Sequence, residues 1–406
     1  MKKTYYFILQ FLFTIFIFTF LLNSETYSYP KFAAYTGEKC QSCHVNPTGG
    51  QIRHMGGIKY AEENLYMDMF KKFNKDASFD TRVGKVLQIG GDLRLGAFDI
   101  QGGRTDPQGG NGGVSLQTFF AMQGDLYVNA ALGKIVDILI NPSMQYEAYP
   151  PVFEMYGMIH NLPVGLYFKA GKIRPNFGIK LPEHRPYQKY FNFYTPYNPD
   201  AGIEVGISPG LFTLTAGLFN GVVSNFYNNN TPTDFDMDNG KQFVASGDFR
   251  WASKKKNFTA GLGASFLNNP YRLTVLPSGS SYDAVNQISA GFVSFGFLQR
   301  IAILGEIDFN SRKYTTETGN VKDLFNTYFG EADFRAARGV ELKFQYEKYD
   351  NNLGTKNGPG ERIRYSGGVV LFPLQGCELE AMYRMGKVYP DDKFYNESNV
   401  VFHFYF

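Results

Sequence analysis

From residue 87 onward the chain alternates apolar and polar side chains with a period of two, and the pattern recurs so often that the chain must be built from strands. Leu87, Ile89, Leu93, Leu95 and Ala97 alternate with Gln88, Asp92 and Arg94. Leu116, Phe120, Met122, Leu126 and Val128 face away from Gln117, Gln123, Asp125 and Asn129. Ile301, Ile303, Ile307 and Phe309 do the same against Glu306, Asp308 and Asn310. Val340, Leu342, Phe344 and Tyr346 oppose Glu341, Lys343, Gln345 and Glu347, and Ile363, Tyr365, Val369 and Leu371 oppose Arg362 and Arg364. Successive strand side chains point to opposite faces, so every segment carries one apolar and one polar face. About sixteen such segments fit into residues 81–406, an even number within the range of transmembrane barrels. The predicted fold is all-β: an outer-membrane antiparallel β-barrel.

The joints between segments support a barrel over a sandwich. Short ones are expected near 132–133, 161–163, 208–210, 253–256, 337–339 and 373–376, and longer loops over 101–113, 174–200, 221–240, 268–285, 311–324 and 351–360. Short turns at one end and long loops at the other are the habit of outer-membrane barrels, whose short turns are periplasmic. Val400, Phe402, Phe404 and Phe406 share one face of the last segment and resemble the C-terminal signature of such barrels, which turns His403 inward. His160, beside Glu154 and Tyr156, is also expected inside. So many apolar faces on a soluble protein would have nothing to bury them. With 44 Gly, 28 Tyr and 39 Phe against a single Trp, the composition suits strands, turns and aromatic belts. A formal net charge of +3 is too slight to point to nucleic acid.

Ahead of the strands stands Cys40-Gln41-Ser42-Cys43-His44, the C-x-x-C-H pattern of covalent haem attachment. Two thiols three positions apart can each form a thioether to a haem vinyl group, and the next residue supplies an imidazole to the iron. Cys40 and Cys43 are therefore expected to hold one covalent haem c, with His44 as the iron ligand. A simple disulfide is the main competing reading. A thioredoxin motif calls for a βαβ setting and a zinc site for four ligands; the only other cysteine is the distant Cys377. The sixth iron position falls to His54 or Met55, to Met67 or Met69, or to water.

Met1-Lys2-Lys3, an apolar run over 5–22 and Thr26-Tyr27-Ser28 fit a secretory signal peptide over 1–28. The haem segment then covers 29–80. Asn46-Pro47-Thr48-Gly49-Gly50 is a turn cluster, and Ile58, Ala61, Leu65, Met69 and Phe73 fall at helical spacing. So short a segment needs the haem and the barrel wall to complete its core, so it is expected to plug the lumen or lie just below it.

Residues 30–44, from Pro30 to His44, followed by a barrel, resemble the fused monohaem cytochrome-porins of the bacterial outer membrane, some of which are iron(II) oxidases. Pro30, Phe32, Ala33, Thr36, Gly37, Cys40, Cys43 and His44 match that family's pattern P-x-F-A-R-Q-T-G-x-x-C-x-x-C-H, whereas Ala34 and Tyr35 replace its Arg-Gln pair. The resemblance implies electron transfer between an extracellular donor or acceptor, such as iron(II), and a periplasmic c-type cytochrome. No acid–base pair stands out near the motif, so no catalytic residue is assigned. Lys169, Lys172, Arg174, Lys180, His184, Arg185 and Lys189 form a basic run in a stretch similar to phosphate-selective porin-like barrels. An ordinary solvated loop is the favoured reading of this run, and an anion path the other. The alternative function is thus an anion-leaning diffusion porin with a structural or sensory haem plug.

Overall fold

The computed structural model describes residues 30–76, 81–101, 116–142, 153–183, 185–192, 199–221, 239–275, 280–316, 319–351, 353, 357–391 and 393–406. The expected leader over 1–28, the segment end at 77–80 and His184 lie outside the described residues.

Sixteen long strands follow one another around a ring. They are β1 Leu87–Gln101, β2 Leu116–Leu132, β3 Val136–Pro142, β4 Phe153–Ile159, β5 Tyr167–Ile173, β6 Asp200–Ile207, β7 Phe212–Phe219 and β8 Gln242–Ala252. The second half comprises β9 Phe258–Val275, β10 Ser280–Phe297, β11 Ile301–Thr316, β12 Gly319–Ala337, β13 Val340–Asp350, β14 Arg362–Leu371, β15 Cys377–Val388 and β16 Tyr395–Tyr405. Each pairs antiparallel with the next, and β16 returns to β1 through pairs running from Asn396–Gln101 to Tyr405–Asp92. Closure gives every strand of the ring a partner on each side, as a lipid setting requires. A two-residue lead-in, Arg82–Val83, pairs with the start of β1.

Two of the expected long loops are corrected. Strands run through most of 268–285 and 311–324, because β9 and β10 pair as far as Val275–Ser280 and β11 and β12 as far as Thr316–Gly319. Asn268-Asn269-Pro270 reads as a turn, yet Pro270 lies just past the last β8–β9 pair, Phe243–Asn268, where a strand edge tolerates a missing N–H. A second correction concerns Met122. The register between β1 and β2 slips at Arg94/Leu95, and this bulge turns Met122 into the barrel against Phe98 and Ile100 instead of toward lipid.

The outer wall is an apolar band. Leu95, Leu126, Ile140, Phe168, Ile203, Leu218, Leu262, Phe266, Ile303, Phe344, Phe402 and Phe404 all stand exposed on it. Near the short-turn end Trp251, Phe258 and Phe297 form an aromatic row with ring centroids 6.0 and 5.2 Å apart.

Among the described residues, two inserts enter the lumen from opposite ends. The N-terminal segment carries α1 Pro30–Thr36, α2 Met55–Asn64 and α3 Lys71–Asp76. It binds the wall all round the short-turn mouth. Lys39 donates to Ser208 in the β6–β7 turn, Lys256 of the β8–β9 turn meets Glu38, and Lys31 meets Glu341 of β13 at 2.8 Å. Met67 N–H bonds Phe372 O of the β14–β15 turn, Arg53 covers the Tyr405 ring of β16, and Gln51 bonds Glu154 of β4. The second insert is the β5–β6 connection, which turns inward and carries α4, Tyr187–Phe191. Apolar clusters fasten both inserts to the wall. Ala34 and Tyr35 of α1 and Ile179 and Leu181 of the inward loop pack on Ala302, Leu304 and Phe329, while Tyr60, Ala61 and Leu65 pack on Val370 and Phe372.

The helical spacing expected from Ile58 to Phe73 holds only in part. Ala61 and Leu65 are buried, but α2 ends at Asn64, and Met69 and Phe73 stand in the open. The Met67–Phe372 backbone bond draws the chain off the helix axis before Met69 is reached.

Candidate functional site

α1 begins on Pro30, whose missing N–H costs nothing at a helix start, and stops at Gly37 (φ +75°). A Cβ at Gly37 would collide with Ala252 of β8, so glycine serves both the turn and the close approach. The motif follows as one turn of 3₁₀ helix, with Cys43 N–H and His44 N–H both bonding Cys40 O at 3.1 Å. Asn46 then folds the chain back. Its Oδ1 accepts from Thr48 N–H at 3.2 Å and its Nδ2 donates to Gly49 O at 3.1 Å. This return brings Gly49 (φ +85°) so close that a Cβ there would lie 3.3 Å from Cys40 Sγ.

Cys40 and Cys43 carry thiols, with no disulfide between them. Cys40 and His44 line a cavity, partly open to solvent, bounded by the Thr48–Gln51 stretch, the inward loop and the walls of β7–β11. Cys43 borders a smaller cavity with Gly57, Tyr60, Leu65 and Phe372, and His44 lines that one too. The thiols therefore open onto adjoining spaces that share the imidazole. The large cavity is rich in cations: Lys39, Arg53, Arg94, Arg174, Lys180 and Arg250 face it, against Asp92 and Asp248. Two cysteine sulfurs, an imidazole that lines both spaces, room beside each and cations for anionic edge groups are what a covalent haem would need. The residues present fit that group.

Of the expected sixth ligands, none borders these cavities. His54 is the N-cap of α2: its Nδ1 accepts from Gly56 N–H at 3.0 Å, which leaves Nε2 to donate to Gln41 O at 2.7 Å. Both ring nitrogens are thus occupied. Met55 and Met69 are exposed on the segment's outside, and Met67 packs against Gly339. His403, which borders both cavities, holds Asp92 at 2.7 Å through Nε2 and Glu378 at 3.2 Å through Nδ1.

The basic run is not a solvated loop, and burial is the correction. Lys169 is fully buried between Glu204 at 2.6 Å and Asn46 Oδ1 at 2.9 Å. Lys180 reaches Thr48 Oγ1 at 2.7 Å, Arg185 pairs with Glu397 of β16, and Lys189 lies 3.7 Å from Glu306 of β11. Arg174 pairs with Glu154 at 3.1 Å, while Lys172 keeps partial exposure on β5. The sequence reading missed the carboxylates that receive this loop, Glu347, Glu397, Glu306 and Asp308. Their place on inward strand positions was legible, but their pairing with a loop more than a hundred residues away was not.

No protein-family description matches the chain, and no curated protein matches it either. Among solved structures it is similar to OmpT, an outer membrane protein of Vibrio cholerae, in its trimer form, at 12% identity and TM-score 0.53. That match covers 79% of this chain and 99% of that one. The outer membrane channel DcaP of Acinetobacter baumannii matches at 12% identity and TM-score 0.54, covering 81% of this chain and 99% of that one. These likenesses establish a porin-like, outer-membrane-type barrel as the fold.

Proposed function

We propose that the protein carries electrons through the bacterial outer membrane by one haem c held inside a plugged, porin-like barrel. The observation that carries this reading is the C-x-x-C-H turn, which opens onto cavities enclosed between the barrel wall and its two inserts. When bound, haem c supplies a one-electron iron couple. Cys40 and Cys43 would fix the ring and His44 would ligate the iron. The wall and the inward loop limit solvent access to that turn, which favours a stable, selective couple.

Short turns of such barrels face the periplasm, so the N-terminal segment sits at the periplasmic mouth. There a periplasmic c-type cytochrome is the exchange partner. The opposite partner, a donor or acceptor such as iron(II), belongs at the long-loop end. The contacts of the segment around the mouth, from Gln51–Glu154 to Met67–Phe372, favour a conduit for electrons over one for solutes. The cation-rich cavity favours the second reading, an anion-leaning porin with a haem plug.

The test is an absorption spectrum of protein purified from the outer membrane of a haem-maturing host, oxidised and then titrated with iron(II), alongside planar-bilayer conductance. Reduced c-type bands with negligible conductance are expected. Bands that appear only with a strong reductant remove iron(II) as donor. Absence of bands together with open-channel current overturns the conduit.

A further inference from the structure

The charges around the large cavity do not cancel. Arg174 has Glu154, Arg250 has Asp248 at 2.7 Å, and Asp92 is taken by His403. Two ammonium groups, one on the buried Lys39 and one on the half-buried Lys180, have only neutral oxygens. Lys180 Nζ donates to Thr48 Oγ1, and Lys39 Nζ donates to Ser208 O at 3.0 Å, Ser208 Oγ at 2.9 Å and Phe212 O at 3.0 Å. Among the described residues neither has a carboxylate within ion-pair distance. A buried charge without a counter-charge is costly, and a folded chain retains one where something else supplies the opposite sign.

The surroundings repeat the demand. Burial and the neighbouring Lys169 push Lys180 down to about 7, and burial pushes Lys39 down to about 8. Arg174 stands next to Lys180 at the same turn, its Nη2 3.6 Å from where a Cβ on Gly50 would be. Gly49 and Gly50 leave the floor of the cavity open there, between these cations and the Cys40 sulfur. The cations come from three separate parts of the chain: the motif's own leader, the end of β5 and the inward loop. The folded barrel brings all three to the lining of one cavity.

We infer that Lys180 and Arg174 form a binding site for an oxyanion in the cavity that the Lys39 charge also lines, filled in the mature protein by the propionate carboxylates of a haem attached to Cys40 and Cys43. This inference rests on the haem reading above. Free phosphate offers the same chemistry and is the other source to be separated.

The experiment compares wild type, Lys180→Gln, Lys180→Arg and Lys39→Gln. The haem-bearing proteins are titrated by spectroelectrochemistry, and haem-free proteins from a host without haem maturation are titrated with inorganic phosphate by calorimetry. A cation beside the haem favours the reduced state, so the midpoint is expected to move negative in the two glutamine variants and to recover in Lys180→Arg. Phosphate binding to haem-free protein is expected to weaken about tenfold or more in Lys180→Gln, the size of one lost charge-assisted bond. Normal c-type bands, an unchanged midpoint in every variant and no phosphate binding overturn the oxyanion site and leave the haem reading standing. No bands in wild type, with phosphate binding that depends on Lys180, keeps the site and ends the haem reading. No bands and no phosphate binding ends both.

Discussion

Arg364 grips both oxygens of Glu347, from Nε at 2.9 Å and Nη2 at 2.8 Å, and the same carboxylate accepts the Tyr187 backbone N–H at 2.7 Å. A second bond from Arg364 Nη2 to Arg185 O at 2.8 Å completes the clamp that holds the inward loop on β13 and β14. Glu347→Ala leaves a buried guanidinium unpaired, which is expected to cost about 3–5 kcal/mol. Replacing both partners by leucine recovers most of that loss. Thermal unfolding, together with protease cleavage within 174–199, reads both outcomes.

Lys180 gives the haem-free barrel a pH dependence of known sign. Its folded value of about 7 lies below the ordinary lysine value of 10.5, so the unfolded chain binds the extra proton between those limits. The destabilisation is complete below about pH 7 and is relieved as pH rises toward 10.5. The haem-free protein should therefore melt at least a few degrees higher at pH 9.5 than at pH 7, and Lys180→Met should flatten the slope. A wild-type melting curve that does not shift between those pH values would count against an uncompensated charge.

Gly296 of β10 marks where α1 rests on the wall. A Cβ there would overlap the Ala34 carbonyl oxygen and crowd the Thr259 hydroxyl that bonds it. Gly296→Val is expected to lift the N-terminal segment without opening the barrel. Limited proteolysis should then cut within 30–76, and planar bilayers should show single-channel current absent from wild type.

His54 caps α2 with both ring nitrogens engaged, and the roles of cap and iron ligand separate cleanly. His54→Ala should cost about 0.5–2 kcal/mol through loss of the Gly56 bond. The absorption spectrum of the oxidised haem protein should stay unchanged, and a changed iron coordination in that spectrum would sink the assignment.

Trp251, the chain's one tryptophan, stands half-exposed on the outer wall in the aromatic row near the short turns. Rows of this kind sit at the membrane interface. In lipid vesicles its fluorescence should be quenched most by bromine placed near the headgroup end of the acyl chain, and less by bromine near the tail end.

The wall of this protein was legible because the signal is repetitive. A residue such as Phe402 or Ile303 announces its face through neighbours two positions away, and sixteen repetitions make the barrel hard to miss. The misses occurred where a distant partner overrode the local pattern. Met122 lost its outward place to a one-residue bulge set by β1, and Met69 lost its buried place to the Met67–Phe372 bond. The site was legible as chemistry, through Cys40, Cys43 and His44, and not as surroundings. Lys180 and Arg174 were visible only as a basic run, since nothing local says that Thr48 and Glu154 are waiting for them.

Cys43 is only 3% exposed, backed by Gly57 of α2, while Cys40 faces a space enclosed by the loop above and by its own segment at the mouth. Once the segment is seated, the Cys43 sulfur is covered and Cys40 is reached only through the partly open cavity. On the proposed haem reading, bond formation at these two atoms precedes seating of the segment, and a chain whose segment seats first stays without haem.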